Sequence, residues 1–141
     1  IFDYETERAA YPWRRSQTES TLRAGSGRAI TAIMATRQTD YVNNFWKALA
    51  RDPATLRRTW ESVKQVMASG ALDALTKELI YLAVSASNQC NYCIASHTAS
   101  ARRAGMTDAM FMEVMAVVGM ANESNRLASG YQVEIDERFL R

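Results

Sequence analysis

Apolar residues recur along this chain at steps of three and four. No stretch alternates polar and apolar residues between turn signals, so the pattern predicts helices and no strands. Residues 1–28 are polar and arginine-bearing, with Gly25 and Gly27 breaking any period, and read as an arm and flexible linker; residues 29–141 read as one helical domain. From Ala29 to Ala50, the residues Ile30, Ile33, Met34, Val42, Phe45, Trp46 and Leu49 fall at helical spacing, with an interruption near Asp40. In "RDPATLRRTWESVKQVMASG", Asp52 is placed to cap a helix, Pro53 suits its first position because its missing N–H would be unpaired there anyway, and Gly70 stops the chain. A second cap, Asp73, opens the segment to Ser87, which is apolar nearly all round and so predicts a helix buried on most sides. Leu75, Leu79, Leu82 and Ala86 form one stripe on it, with Glu78 at the edge of that stripe. After the polar break "SNQ", a helix is predicted from about Cys90 to Ala104, with Gly105 as its stop. Thr107 then caps a Met-rich helix that Gly130 ends. The fold class is all-α, a bundle of five to six helices with the cysteine pair at the start of a central one.

Composition narrows the function classes. Apolar residues are 48% and charged residues 23% of the 141, the ordinary range for a globular protein with a core of its own. A net charge of +2, without a block of either sign, leaves no electrostatic footprint for nucleic acid. The longest apolar run, Ala109 to Ala121, is broken by Glu113 and is shorter than the roughly 18 to 20 residues of a membrane span, so it reads as a buried helix and no membrane partner is expected. No charged head followed by an apolar stretch marks a secretory signal, and two cysteines spaced C-x-x-C are not the framework of a small secreted scaffold. A reducing, cytoplasmic setting is the expectation.

The chemistry is concentrated in "NQCNYCIASH", which holds both cysteines and the only histidine. On a helix, Cys90 and Cys93 are three apart and Cys93 and His97 four apart, so the three share a face that continues into Ala101 and Ala104. The first turn of that helix favours a thiolate at Cys90, and His97 exchanges protons near neutral pH. Glu78 precedes Cys90 by twelve residues; if the two helices fold back after "SNQ", its carboxyl faces the Cys–His stripe from an apolar wall and serves proton transfer. Two other uses of the same cluster stay open. Two thiolates, an imidazole and a carboxylate would complete a four-coordinate zinc site, although structural zinc sites usually draw on two separated ligand pairs and this chain has one. A redox-sensing interaction protein would use the pair without turnover.

Taken together, Glu78, the twelve-residue step, the C-x-x-C and His97, followed by the A-G-M-T break, resemble the active-site pattern of the AhpD-like alkylhydroperoxidases within the carboxymuconolactone decarboxylase superfamily. "ELIYLAVSASNQCNYCIASHTASARRAG" is similar to that family's core, and the resemblance covers roughly residues 41–125. It implies a thiol-dependent peroxidase in which Cys93 attacks the hydroperoxide and becomes a sulfenic acid, Cys90 donates a proton and resolves that acid into a Cys90–Cys93 disulfide, and Glu78 and His97 form a proton relay. It implies no bound cofactor, reduction by an external dithiol such as the lipoyl group of a partner protein, and a homo-oligomer, trimeric or hexameric. Tyr92 departs from the pattern, since the best-known AhpD enzyme carries a second histidine there. A decarboxylase-like enzyme of the same superfamily, by contrast, would work with both cysteines replaced by serine. The methionines Met106, Met110, Met112, Met115 and Met120 read as core or subunit-interface packing rather than as an oxidant sink.

Overall fold

The computed structural model describes residues 26–140, and most of the expected arm therefore lies outside the described residues. Among the described residues the structure is helical throughout, with no strand. The helices are α1 (Gly27–Arg37), α2 (Asn44–Leu49), α3 (Pro53–Met67), α4 (Ala74–Ser87), α5 (Asn91–Arg103) and α6 (Asp108–Gly130), followed by a 3-10 turn at Glu137–Leu140. The chain divides into two compact units after Val66.

In the first unit, Ile30, Ile33, Trp46, Ala50, Leu56 and Trp60 form the buried cluster, and the rings of Trp46 and Trp60 meet edge to face with centroids 5.4 Å apart. α1 begins at Gly27, two residues before the expected Ala29, because buried Ser26 donates its hydroxyl to the Ala50 carbonyl and anchors the chain there. The expected interruption falls between α1 and α2, where Gln38 turns into the left-handed region at φ 52°. Asp52 caps α3 as the sequence predicts: it accepts from the Ala54 N–H at 3.0 Å and from the Thr55 hydroxyl at 2.6 Å. The Thr55 hydroxyl, ahead of the Ala54 N–H, holds the Asp52 carboxyl below its ordinary pKa.

The second unit is built on α4, which packs against both α5 and α6. Leu82 on α4, Ala101 on α5 and Met106 just beyond α5 are its buried centre, with Leu75, Leu79, Ile94, Met110, Phe111, Val114 and Met115 partly buried around them. Leu82 is fully buried, and removing a side chain of that size from water is worth about 1.5–3 kcal/mol. Asp73 caps α4 by accepting from the Thr76 N–H at 2.7 Å, which lowers its own pKa, and Thr107 caps α6 through the Met110 N–H at 3.2 Å.

Two expectations about burial are corrected. α4 is not covered on most sides, since Ile80 and Val84 are half exposed, and α6 has no buried residue at all, with Met112, Val117 and Met120 largely exposed. Three helices provide apolar cover for one side of α4 and α6 only. An apolar residue registers a preference for burial, and in these two helices the second unit satisfies that preference on one face.

Both ends of the α4–α5–α6 turns use the same device. At the end of α4, Gln89 takes φ 57°, its N–H donating to the Ala86 carbonyl and the Cys90 N–H to the Ser85 carbonyl. At the end of α5, Gly105 takes φ 106°, its N–H donating to Arg102 and the Met106 N–H to Ala101. Each is a paired closure of the last helical turn by a residue in the left-handed region. Gly105→Ala is expected to lower the unfolding free energy by about 1–2 kcal/mol, because a Cβ at this backbone conformation meets its own carbonyl although no other atom lies within 4 Å. Gln89→Gly removes a Cβ from the same region and is expected to shift stability the other way. Denaturant melts check the two signs; an unchanged Gly105 variant would contradict the reading.

Candidate active site

The turn at the end of α4 delivers Cys90 directly to the start of α5. Cys90 is therefore not in the first turn of the helix, as its spacing suggested, but is its N-cap: its Sγ accepts from the Cys93 N–H at 3.3 Å. Its backbone N–H closes α4 and its side chain opens α5, so one residue joins the two helices. Cys90 and Cys93 are linked as a disulfide with Cα atoms 5.3 Å apart. His97 follows Cys93 one turn later on the same face of α5. Ala101 continues this face into the core, whereas Ala104, expected to do the same, is exposed because it is the C-cap of α5.

Glu78 meets this face from α4. Its Oε2 lies 2.7 Å from His97 Nδ1, a bond spanning nineteen residues of sequence and joining the two helices. With Glu78 ionised, its carboxylate can only accept, so His97 would donate through Nδ1 and Nε2 would be the ring nitrogen left for proton exchange. The Glu78 and His97 side chains are 17% and 20% exposed, sheltered enough for their bond to be worth more than a surface ion pair, about 1.5 kcal/mol. Of the four residues singled out from the sequence, the structure bonds Cys90 to Cys93 and pairs Glu78 with His97, and Cys93 and His97 lie one turn apart on α5.

A fifth residue joins them that spacing alone did not reveal. The Tyr81 ring is stacked on the His97 imidazole with centroids 3.5 Å apart and planes 15° from parallel. Tyr81 is one helical turn after Glu78 on α4, so one face of that helix carries both, but spacing within α4 does not say that this face meets His97. At the far end of α4, Asn122 on α6 donates to the Ser87 hydroxyl at 2.9 Å and to the Val118 carbonyl at 2.8 Å, fixing α6 beside the turn that carries Cys90. Among the described residues no group of three or more His, Cys, Asp and Glu side chains is arranged to hold a metal ion. Among them, too, no helix is long and apolar enough to cross a membrane.

Residues 53–133, more than half of the chain and including the whole of this site, match the carboxymuconolactone decarboxylase family. The chain belongs to that family. Its architecture is similar to the crystal structure of the alkylhydroperoxidase AhpD core from Rhodospirillum rubrum, with a TM-score of 0.82 and 50% identity over 89% of this chain and 93% of that one. Uncharacterised protein 4 of the cox locus of Paracoccus denitrificans is 48% identical over 52 residues, 37% of this chain and 47% of that protein, so the match spans about half of that relative's length. An uncharacterised protein of Cupriavidus necator is 30% identical over 88 residues, 62% of this chain and 78% of its own. The expected resemblance to the AhpD-like members of this family and the expected all-α fold both hold. For this family member, the capping role of Cys90 makes a stability difference measurable in the reduced protein. Cys90→Ser, which keeps an acceptor at the N-cap, is expected to be about 1 kcal/mol more stable than Cys90→Ala, as thermal melts under reducing conditions would show; equal melts would mean that Sγ does not cap α5.

Proposed function

We propose that the protein is a thiol-dependent peroxidase of the alkylhydroperoxidase type, cycling between the Cys90–Cys93 dithiol and disulfide. The observation that carries this reading is a Glu78–His97 pair bridging two helices, with a bonded cysteine pair ending one turn before His97 on the same helix, within a chain 50% identical to an AhpD core. In the reduced enzyme, Cys93 passes its proton to His97 Nε2 and attacks the terminal oxygen of the hydroperoxide. An S–O bond forms, the O–O bond breaks, and the departing alkoxide takes the proton of the Cys90 thiol to leave as an alcohol. The Cys90 thiolate then attacks the Cys93 sulfenic acid, and the hydroxide that leaves takes the proton from His97 to become water. Two thiols and one hydroperoxide thereby become one disulfide, one alcohol and one water. Glu78 steadies the imidazolium through Nδ1 while His97 holds the borrowed proton.

The disulfide is returned to the dithiol by exchange with an external dithiol, for which a lipoyl group on a partner protein is the proposed source. No bound cofactor enters the cycle, and the setting proposed is the reducing cytoplasm. Exposed apolar side chains on α4 and α6, among them Val84, Val117 and Met120, support self-association into a trimer or hexamer.

The test is intact-mass analysis of the reduced, metal-free protein before and after one equivalent of an organic hydroperoxide, with residual peroxide assayed in parallel. Loss of two hydrogens per chain with matching peroxide consumption is expected. Cys90→Ser should instead gain one oxygen, trapped at Cys93, and Cys93→Ser should not react. An unchanged wild-type mass with the peroxide left over would overturn the reading.

A further inference from the structure

We infer that Tyr81 is a positioning residue for His97, its ring fixing the plane in which Nε2 serves the cysteine pair. This rests on the peroxidase reading for its function but on geometry for its placement. A histidine ring turns about a broad terminal torsion, and one hydrogen bond at Nδ1 leaves that rotation only partly restrained. Glu78 supplies the bond at 2.7 Å, and Tyr81 supplies the second restraint, a nearly parallel ring 3.5 Å away, closer than the 4.5–7 Å usual for aromatic pairs. Both come from a single turn of α4, three residues apart, so the edge and the face of the imidazole are held by one rigid element.

Packing alone does not account for Tyr81. It remains 37% exposed, and among the described aromatic pairs it is the one stacked on a group able to exchange protons near neutral pH. Its own turn is linked to the cysteines through Ser85, which is buried, donates its hydroxyl to the Tyr81 carbonyl at 2.8 Å and accepts the Cys90 N–H at 3.0 Å. The backbone that carries the stacked ring is thus hydrogen-bonded, through one residue, to the backbone that carries Cys90. With Nδ1 committed to Glu78 and one face to Tyr81, Nε2 is the part of the ring left to move a proton, and its direction depends on both restraints. Removing the stack leaves the Glu78 bond in place but lets the ring tilt about it, and a displacement of this kind slows proton transfer without abolishing it.

The experiment compares wild type with Tyr81→Phe, which keeps the stacked ring, and Tyr81→Leu, which does not; Tyr81→Met takes the place of the leucine variant should that one fail to fold. Three quantities are read on each: the rate of disulfide formation with cumene hydroperoxide, the rate of disulfide reduction by dithiothreitol, and the NMR signals of the His97 ring protons. His97 is the only histidine of the chain, so those signals are identified without assignment. Stacking shifts them upfield; the shift is expected in wild type and Tyr81→Phe and lost in Tyr81→Leu. Both rates are expected to fall about tenfold in Tyr81→Leu and to stay within about twofold of wild type in Tyr81→Phe. Wild-type rates in the leucine variant would overturn the inference, as would a phenylalanine variant as slow as the leucine one, which would place the effect in the hydroxyl. If wild type does not react with the hydroperoxide, the peroxidase reading fails, and the dithiothreitol rates with the NMR signals still decide the role of Tyr81.

Discussion

A carboxylate and an imidazole 2.7 Å apart on neighbouring helices require the backbones that carry them to approach closely and in one register. In the second unit that requirement is met by size and by turn geometry. Ala101, with no side chain beyond Cβ, is fully buried in contact with the Leu82 cluster, so a small residue stands where α5 crosses the core. The register follows from the turn after α4, where two backbone bonds and a left-handed Gln89 leave no slack between the last residue of α4 and Cys90. Changing the length of that turn by one residue would rotate α5 by about 100° and carry His97 off the face that Glu78 reaches.

Cys90 carries more of this arrangement than its redox chemistry alone requires. Its N–H ends one helix and its sulfur caps the next, so the atom that forms the disulfide also satisfies an otherwise orphaned amide of α5. The sulfur thereby stands among the amides of a helix start, where negative charge is favoured, while Cys93 stands one turn from the imidazole. Once the disulfide is reduced, a thiolate at Cys90 would have these amides as donors, while Cys93 has the nearer base. That division of labour matches the two steps of the proposed cycle, in which Cys93 gives its proton to His97 and Cys90 acts second as a thiolate.

Much of this was legible in the residues themselves. Asp52, Asp73 and Thr107 are capping residue types placed before helical periods, and each accepts the amide that its position implies. The Cys93–His97 step is a property of one helix, which spacing specifies fully. The Glu78–His97 bond was legible only on the condition that α4 and α5 fold back, and the residue that makes them do so, Gln89, carries no turn signature; glutamine is not among the types that favour the left-handed region. Tyr81 was illegible for a related reason, since stacking on His97 depends on the register between two helices rather than on any spacing within one. The exposed faces of α4 and α6 were misjudged because hydropathy reports what a side chain prefers, not whether its own unit has enough neighbours to cover it.

In the proposed cycle Glu78 and His97 act as one unit on the thiols. The most direct test is the single-turnover rate of disulfide formation with hydroperoxide in Glu78→Gln, His97→Asn and the double variant. If the pair works through its shared hydrogen bond, the His97 variant slows the reaction by about 10²-fold or more and the double variant is no slower than His97→Asn alone. Losses that multiply in the double variant would show two independent contributions and contradict the relay.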